Sequence, residues 1–365
     1  MERRLLGRTG LSVGVIGLGT ATFGGFGLKN EDDCARIVHQ ALDAGLNLVD
    51  TADFYGLGLS ETITGKALAG RRDKVVLATK CGSPMSNDPN ERGGSRRWIN
   101  RAIDASLKRL GTDHVDIYQL HQPDPFTDAE ETAEAMNGLI SAGKIRYWGT
   151  SNFSAAMITE SQLRARMRNL TPGHTEQTAY SIFTRGPEAE LLPACRRYGL
   201  GFLAYSPLDG GWLSGRYRKD QEIERSPRQR LQPDLFDLSD PAIAAKLDIV
   251  EDLCAIAEAD GQTLSELAVG FALAHPGVTA ALVGGSRAEH YAPYFQGRDW
   301  RLTDEVLDRI DAVARPGVSK PAQAPRNTAL TDKTERRRSP HEAEASAARS
   351  ATNRVLELQQ RKKEG

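Results

Sequence analysis

Several features are missing from this sequence, and each absence narrows its class. Cysteine is scarce: Cys34, Cys81, Cys195 and Cys254 stand apart, with no CxxC pair and no metal-ligand spacing. That pattern argues against a disulfide scaffold and a metal site. It predicts reduced thiols in a cytoplasmic protein, three of the four as packing residues. Net charge is almost nil, with 47 basic against 48 acidic side chains. No excess of either sign is present to recruit nucleic acid or a membrane surface. No apolar run approaches the roughly 20 residues that span a bilayer. The opening MERRLLGRTG has no apolar core of the kind a secretory signal carries, so no export is expected.

What is present is a rhythm of strands and helices over a chain of 365 residues, long enough to bury a large core. Short β-rich runs recur at 13–19, 46–50, 75–80, 115–121, 145–151, 175–180, 201–207 and 279–285. Most are apolar without interruption, as strands covered on both faces are. The segments between them place apolar residues three and four apart. In ARIVHQALDAGL, Ile37, Val38, Ala41 and Leu42 share one face, and Gly45 is placed to stop the helix. Alternating strands and helices predict a parallel sheet, and eight units predict an α/β fold closed as a (β/α)8 TIM barrel.

A doubly wound open sheet is the rival. It normally shows G-x-G-x-x-G after its first strand, whereas here Gly17 and Gly19 are followed by Thr22. GRTG between short apolar pieces reads as an N-terminal β-hairpin, placed to plug the barrel floor. The gap between the seventh and eighth strands is about 70 residues. It holds a basic, proline-containing loop (216–233) suited to folding over a ligand, and at least two helices. The barrel domain is expected over residues 1–318. Residues 319–365 carry 11 Lys or Arg against 6 Asp or Glu and almost no large apolar residue before Val355. That composition predicts a charged, disordered tail.

In such a barrel the carboxyl ends of the strands converge on the face that bears the active site. Asp50 ends the second strand, Lys80 the third and His121 the fourth, and Tyr55 lies in the loop after the second. The set makes a proton donor. A free phenol titrates near pH 10, too high to exchange protons easily at neutrality, and an adjacent ammonium lowers that value. A buried lysine in turn needs a carboxylate, which Asp50 supplies. His121 would orient a carbonyl towards the phenol. Taken singly, Tyr55 could be packing, Asp50 and Lys80 a structural ion pair, and His121 a satisfied core histidine.

These residues sit in DTADFYG, ATK and LHQPD, and there the sequence resembles the aldo-keto reductases. The likeness continues through GKIRYWGTSNF, EQTAYS, AYSPLDGGWLSG and VGGSR, covering about residues 3–315. The resemblance implies that Tyr55 is the general acid/base, supported by Asp50, Lys80 and His121. It also implies a nicotinamide cofactor, NADPH/NADP+ with NADH open. Ser151, Asn152 and Gln177 would bind its carboxamide and Tyr205 would stack on its ring, with Thr20 alongside. Ser206, Leu208, Gly210 and Gly211 would line the pyrophosphate. Gly285, Ser286 and Arg287 would meet the 2′-phosphate.

The chain departs from the family at several points. Tyr291 and Phe295 stand where the family often has adenine-gripping polar residues, which leaves stacking or a shifted register. Ala21 and Gln122 replace two tryptophans of the usual substrate pocket, so Phe23, Phe54 and Trp98 are its expected aromatic walls. The implied function is reduction of an aldehyde or ketone, a small-molecule carbonyl. The rivals are an enzyme acting on a sugar or nucleotide-linked keto sugar, and a nicotinamide-binding regulatory subunit.

Overall fold

In the computed structural model, which describes residues 1–315 except 26, 220 and 222–225, the β-rich runs form one closed parallel barrel. Its strands are β3 (Ile16–Gly19), β4 (Leu48–Asp50), β5 (Val76–Cys81), β6 (Val115–Leu120), β7 (Ile145–Ser151), β8 (Thr175–Ala179), β9 (Gly201–Tyr205) and β10 (Ala280–Val283), following β1 (Arg3–Leu5) and β2 (Ser12–Gly14). Pairing of β10 with both β9 and β3 closes the ring, which rules out the open doubly wound sheet.

The helices form the outer layer. They are α1 (Glu31–Asp43), α2 (Leu59–Leu68), α3 (Arg96–Leu110), α4 (Ala129–Ser141), α5 (Ala155–Met167) and α6 (Leu191–Tyr198), then α7 (Pro227–Leu231), α8 (Pro241–Ala259), α9 (Leu264–Ala274) and α10 (Asp304–Val313). Helix α1 shows how local chemistry sets each element. The Asn30 side chain accepts from the Asp32 and Asp33 amides and so starts the helix. Cys34, Ile37, Val38 and Ala41 are buried along one stripe, and Gly45 leaves the helix at φ +89°. Sheet and helices enclose the larger core. All four cysteines are free and buried.

One expected strand divides. The run 13–19 reads as a single strand, but Ser12–Gly14 pairs antiparallel with Arg3–Leu5, and the barrel strand begins only at Ile16. The hairpin does plug the floor. Leu6 and Val13 are fully buried against Leu48, Val76, Ala78, Ile117, Leu203, Ala280 and Leu282 inside the barrel. The long segment after β9 holds α7, α8 and α9, as the 70-residue gap demanded. The charged tail lies outside the described residues. Among the described residues no helix is long and apolar enough to cross a membrane.

The hairpin tolerates little change at its turn. Gly7 has φ +54°, and a Cβ there would lie 2.4 Å from the amide nitrogen of Gly201 and 2.5 Å from the carbonyl oxygen of Gly199. Neither backbone atom can swing aside. Gly7→Ala is therefore expected to cost about 2–4 kcal/mol of stability. The check is the midpoint of urea unfolding, and an unchanged midpoint would show that the floor yields.

Candidate active site

Three adjacent strands carry the polar residues expected at their ends, and the structure brings them together. Lys80 comes from β5. Its Nζ donates to Asp50 Oδ1 at 2.6 Å, to the Thr51 carbonyl at 2.8 Å and to the Tyr55 hydroxyl at 3.4 Å. Both charged side chains are buried, with 0% of Lys80 and 4% of Asp50 exposed. The Tyr55 ring meets the His121 ring edge-on, with centroids 5.6 Å apart. The His121 amide donates to the Cys81 carbonyl at 2.7 Å, which ties the end of β6 to the end of β5. Asp50, Tyr55, Lys80 and His121 therefore form one cluster.

The electrostatics follow from burial. Burial by itself depresses the Lys80 ammonium, but the charges and hydrogen bonds of Asp50 and Tyr55 outweigh it and hold its pKa above the ordinary value. Lys80 is a cation. For Tyr55 burial is the larger effect and raises the pKa, while the Lys80 charge pulls it back only in part. This corrects the expectation that the ammonium makes the resting phenol acidic. Tyr55 is fully protonated at neutral pH. Burial, with Lys80 second, pushes His121 down to about 3, so its imidazole is neutral. Its Nδ1 is buried without a hydrogen-bond partner among the described residues.

Beside this cluster lies a second one on β7, β8 and β9. Ser151 Oγ donates to the Gln177 carbonyl at 2.7 Å. The Asn152 amide group donates to the His121 carbonyl at 3.0 Å and to Ser151 Oγ at 3.1 Å, and its Oδ1 accepts the Tyr205 hydroxyl at 2.8 Å. Gln177 Nε2 donates to Asp50 Oδ2 at 2.8 Å, so the two clusters are directly linked. Past Tyr205 the backbone turns through positive φ at Ser206, Asp209, Gly210 and Gly211, while Leu208 packs against the core. The Asp209 and Gly211 amides close back on the Ser206 and Leu208 carbonyls at 2.9 Å each, which makes this a tight turn. Ser286 is half-buried and Arg287 exposed beyond β10. Burial, then the Arg216 charge, then that of Arg287 depress His290, with Glu289 opposing, so both guanidiniums lie near that loop.

Other expected residues are placed differently. Thr20 is fully buried, with its hydroxyl on the Asp50 carbonyl at 3.1 Å and on Ser60 at 3.0 Å. Phe23 and Trp98 are packed into the hydrophobic core rather than along an open wall, and only Phe54 of the three is half-exposed. Tyr291 is fully buried, and its hydroxyl donates to the Gly285 carbonyl at 3.1 Å. It braces the loop from below and presents no free stacking face.

Sequence reasoning missed three supports. Gln119 is fully buried, accepts from Gln177 Nε2 at 3.1 Å and donates to the Thr150 carbonyl at 3.3 Å and Thr175 Oγ1 at 3.2 Å. It stands two residues before His121, and strand alternation could have placed it in the lumen. Asp53 lies between Asp50 and Tyr55, buried and with neither oxygen hydrogen-bonded among the described residues. Burial, then the charge of Glu61, raise its pKa well above the carboxylate range. Glu61 itself accepts from Thr79 Oγ1 at 2.5 Å and Arg109 Nε at 2.6 Å, and nothing local in the sequence signals that pairing.

A family model described as the aldo/keto reductase family matches residues 15–315. The uncharacterized oxidoreductase YrpG of Bacillus subtilis is 37% identical over 334 residues, covering 88% of this chain and 98% of its own. The aldo-keto reductase YhdN of the same organism is 35% identical over 326 residues, covering 88% and 96%. A putative voltage-gated potassium channel subunit beta of Schizosaccharomyces pombe is 37% identical over 324 residues, covering 85% and 92%.

The neutral His121 has a consequence for stability. Its folded pKa is depressed, so its contribution is complete above about 6.5, the ordinary imidazole value. It is lost as pH falls towards about 3, because the unfolded chain takes up a proton that the fold refuses. His121→Gln should flatten that part of the stability–pH curve, read from urea midpoints across the acid range. An undiminished slope would mean that other groups govern acid unfolding.

Proposed function

The chain belongs to the aldo/keto reductase family, and on that footing we propose that this oxidoreductase uses NADPH to reduce an aldehyde or ketone, with Tyr55 as the general acid. One observation carries the reading: a buried, charged lysine lies 2.6 Å from a carboxylate and 3.4 Å from a tyrosine hydroxyl. A fully protonated phenol is the form a donor needs. As the proton leaves for the carbonyl oxygen, the Lys80 ammonium stabilises the phenolate that remains, and Asp50 keeps that ammonium charged. A neutral His121 has one N–H to offer the same oxygen and brings no competing cation. In the reverse direction the tyrosinate would take the proton of an alcohol.

When bound, the nicotinamide would supply the hydride. The residues fit such a group. Ser151, Asn152 and Gln177 present amide and hydroxyl groups suited to a carboxamide, and Tyr205 offers a ring to stack on it. The turn through Ser206–Gly211 suits a pyrophosphate, and Arg287 with Arg216 suits a 2′-phosphate. The free, buried cysteines fit a reducing compartment, so a cytoplasmic location belongs to the proposal; cell fractionation checks it.

A second reading has its own support, because several relatives bear the name of a putative or probable potassium channel β subunit. Under it the chain binds the dinucleotide and turns over little. A panel of aldehydes, ketones and sugars, with NADPH and NADH oxidation followed by absorbance, separates the readings. Turnover on simple carbonyls supports the first; turnover confined to sugars points to a sugar-directed enzyme. Stoichiometric binding without turnover on any carbonyl favours the regulatory subunit. Tyr55→Phe is expected to lower kcat about 10²–10⁴-fold while cofactor affinity stays near wild type. Loss of both together would remove Tyr55 from its role. Arg287→Ala should raise KM for NADPH and leave NADH unaffected; equal rates with both cofactors in the unmodified chain would refute the 2′-phosphate contact.

A further inference from the structure

Glu176 is a fully buried carboxylate on β8 that the proton chemistry leaves unused. Its neighbours Thr175 and Gln177 face the lumen, so strand alternation turns Glu176 outward, towards the helical layer. There it accepts three hydrogen bonds: from Thr150 Oγ1 at 2.5 Å, from Thr178 Oγ1 at 2.5 Å and from the backbone amide of Phe153 at 3.1 Å. The preceding amide, that of Asn152, donates to the Gln177 carbonyl at 3.0 Å. Two consecutive amides of the turn after β7 are thus fixed by two consecutive residues of β8. Held this way, Asn152 adopts φ +63°, a left-handed conformation that asparagine tolerates better than most residues. From there its side chain spans the His121 carbonyl and the Tyr205 hydroxyl.

We propose that Glu176 is a positioning residue: by holding the Phe153 amide it locks the Asn152 bridge between His121 and Tyr205, and so sets the affinity of the nicotinamide cradle. The inference rests on the reading that this cradle takes a nicotinamide. Its charge state enters the test. Burial raises the Glu176 pKa to about 7, and the hydrogen bonds from Thr150, Thr178 and the Phe153 amide draw it down. The titratable groups that feel it are the Cys195 thiol on α6 and the Tyr205 phenol on β9. Burial, with Glu176 as a lesser cause, raises both, so both are neutral near pH 7. Above its pKa the carboxylate is a stronger acceptor for the Phe153 amide; below it, one oxygen becomes a donor and the grip weakens. Because its folded pKa is raised, Glu176's contribution to folding stability falls as pH rises from about 4.5 to about 7, even as the turn tightens.

Two measurements test this on the full chain. The first follows the Phe153 amide by NMR in the unliganded protein from pH 5.5 to 8.5 (about one and a half pH units either side of the transition). It should shift with a midpoint near 7 in the wild type and show no such transition in Glu176→Gln, which keeps the shape and cannot titrate. The second measures NADPH affinity by fluorescence over the same range. Glu176→Ala should bind about tenfold more weakly, and Glu176→Gln should recover most of that loss at the acid end but not at the alkaline end. A Phe153 transition that persists in Glu176→Gln, or equal NADPH affinity in Glu176→Ala, overturns the proposal. If no dinucleotide binds even the wild type, the cradle reading fails, and the amide titration still decides whether Glu176 holds the turn.

Discussion

The site depends on one ion pair taken out of water. Burying an ammonium and a carboxylate costs several kcal/mol for each ion, and only close contact with further hydrogen bonds repays it. Lys80 meets that demand through Asp50 and the Thr51 carbonyl, and Asp50 gives its second oxygen to Gln177. Gln119 then fixes Gln177 from behind. Asp50, Lys80 and Gln119 come from the adjacent strands β4, β5 and β6, and Gln177 reaches Asp50 from β8, so the pair can exist only if these strands hold their register. Barrel closure and the charge at the mouth are one requirement seen from two ends.

The same pair sets what Tyr55 can do. Burial acts on the phenol more strongly than the ammonium does, so the resting side chain keeps its proton. Under the proposed reaction the benefit of Lys80 would fall on the state in which the proton has gone, and differential stabilisation of that kind is what lowers a barrier. A lysine that made the resting phenol acidic would spend its charge on the ground state. His121 stays neutral beside this pair, because burial and the Lys80 charge both disfavour its protonation.

Much of this was legible in the sequence, for definite reasons. Continuous apolar runs could be covered only on both faces, which pointed to a parallel barrel, and polar residues at strand ends had to converge. Asp50, Lys80 and His121 followed from that rule, and Tyr55 from its short tether to Asp50. What failed to show was orientation beyond the strand ends. Phe23, Trp98 and Tyr291 lie close in sequence to the mouth, but nothing in their spacing told which way each ring would turn, and all three face the interior. Val13 and Gly14 look like barrel residues because the hairpin and the barrel floor ask for the same small apolar side chains. Nothing in the sequence singles out Glu176, because two of its three donors, Thr150 on β7 and the Phe153 amide in the turn after it, meet it only after folding.

The N-terminal hairpin has a practical consequence. Every barrel strand runs from the floor, which the hairpin seals through Leu6 and Val13, towards the mouth where Lys80 and Tyr55 lie. The first residue is therefore at the opposite pole from the chemistry. A bead, a surface or a fused carrier attached there would hold the molecule with its mouth facing outward, and loops at the mouth could be exchanged without disturbing the anchorage.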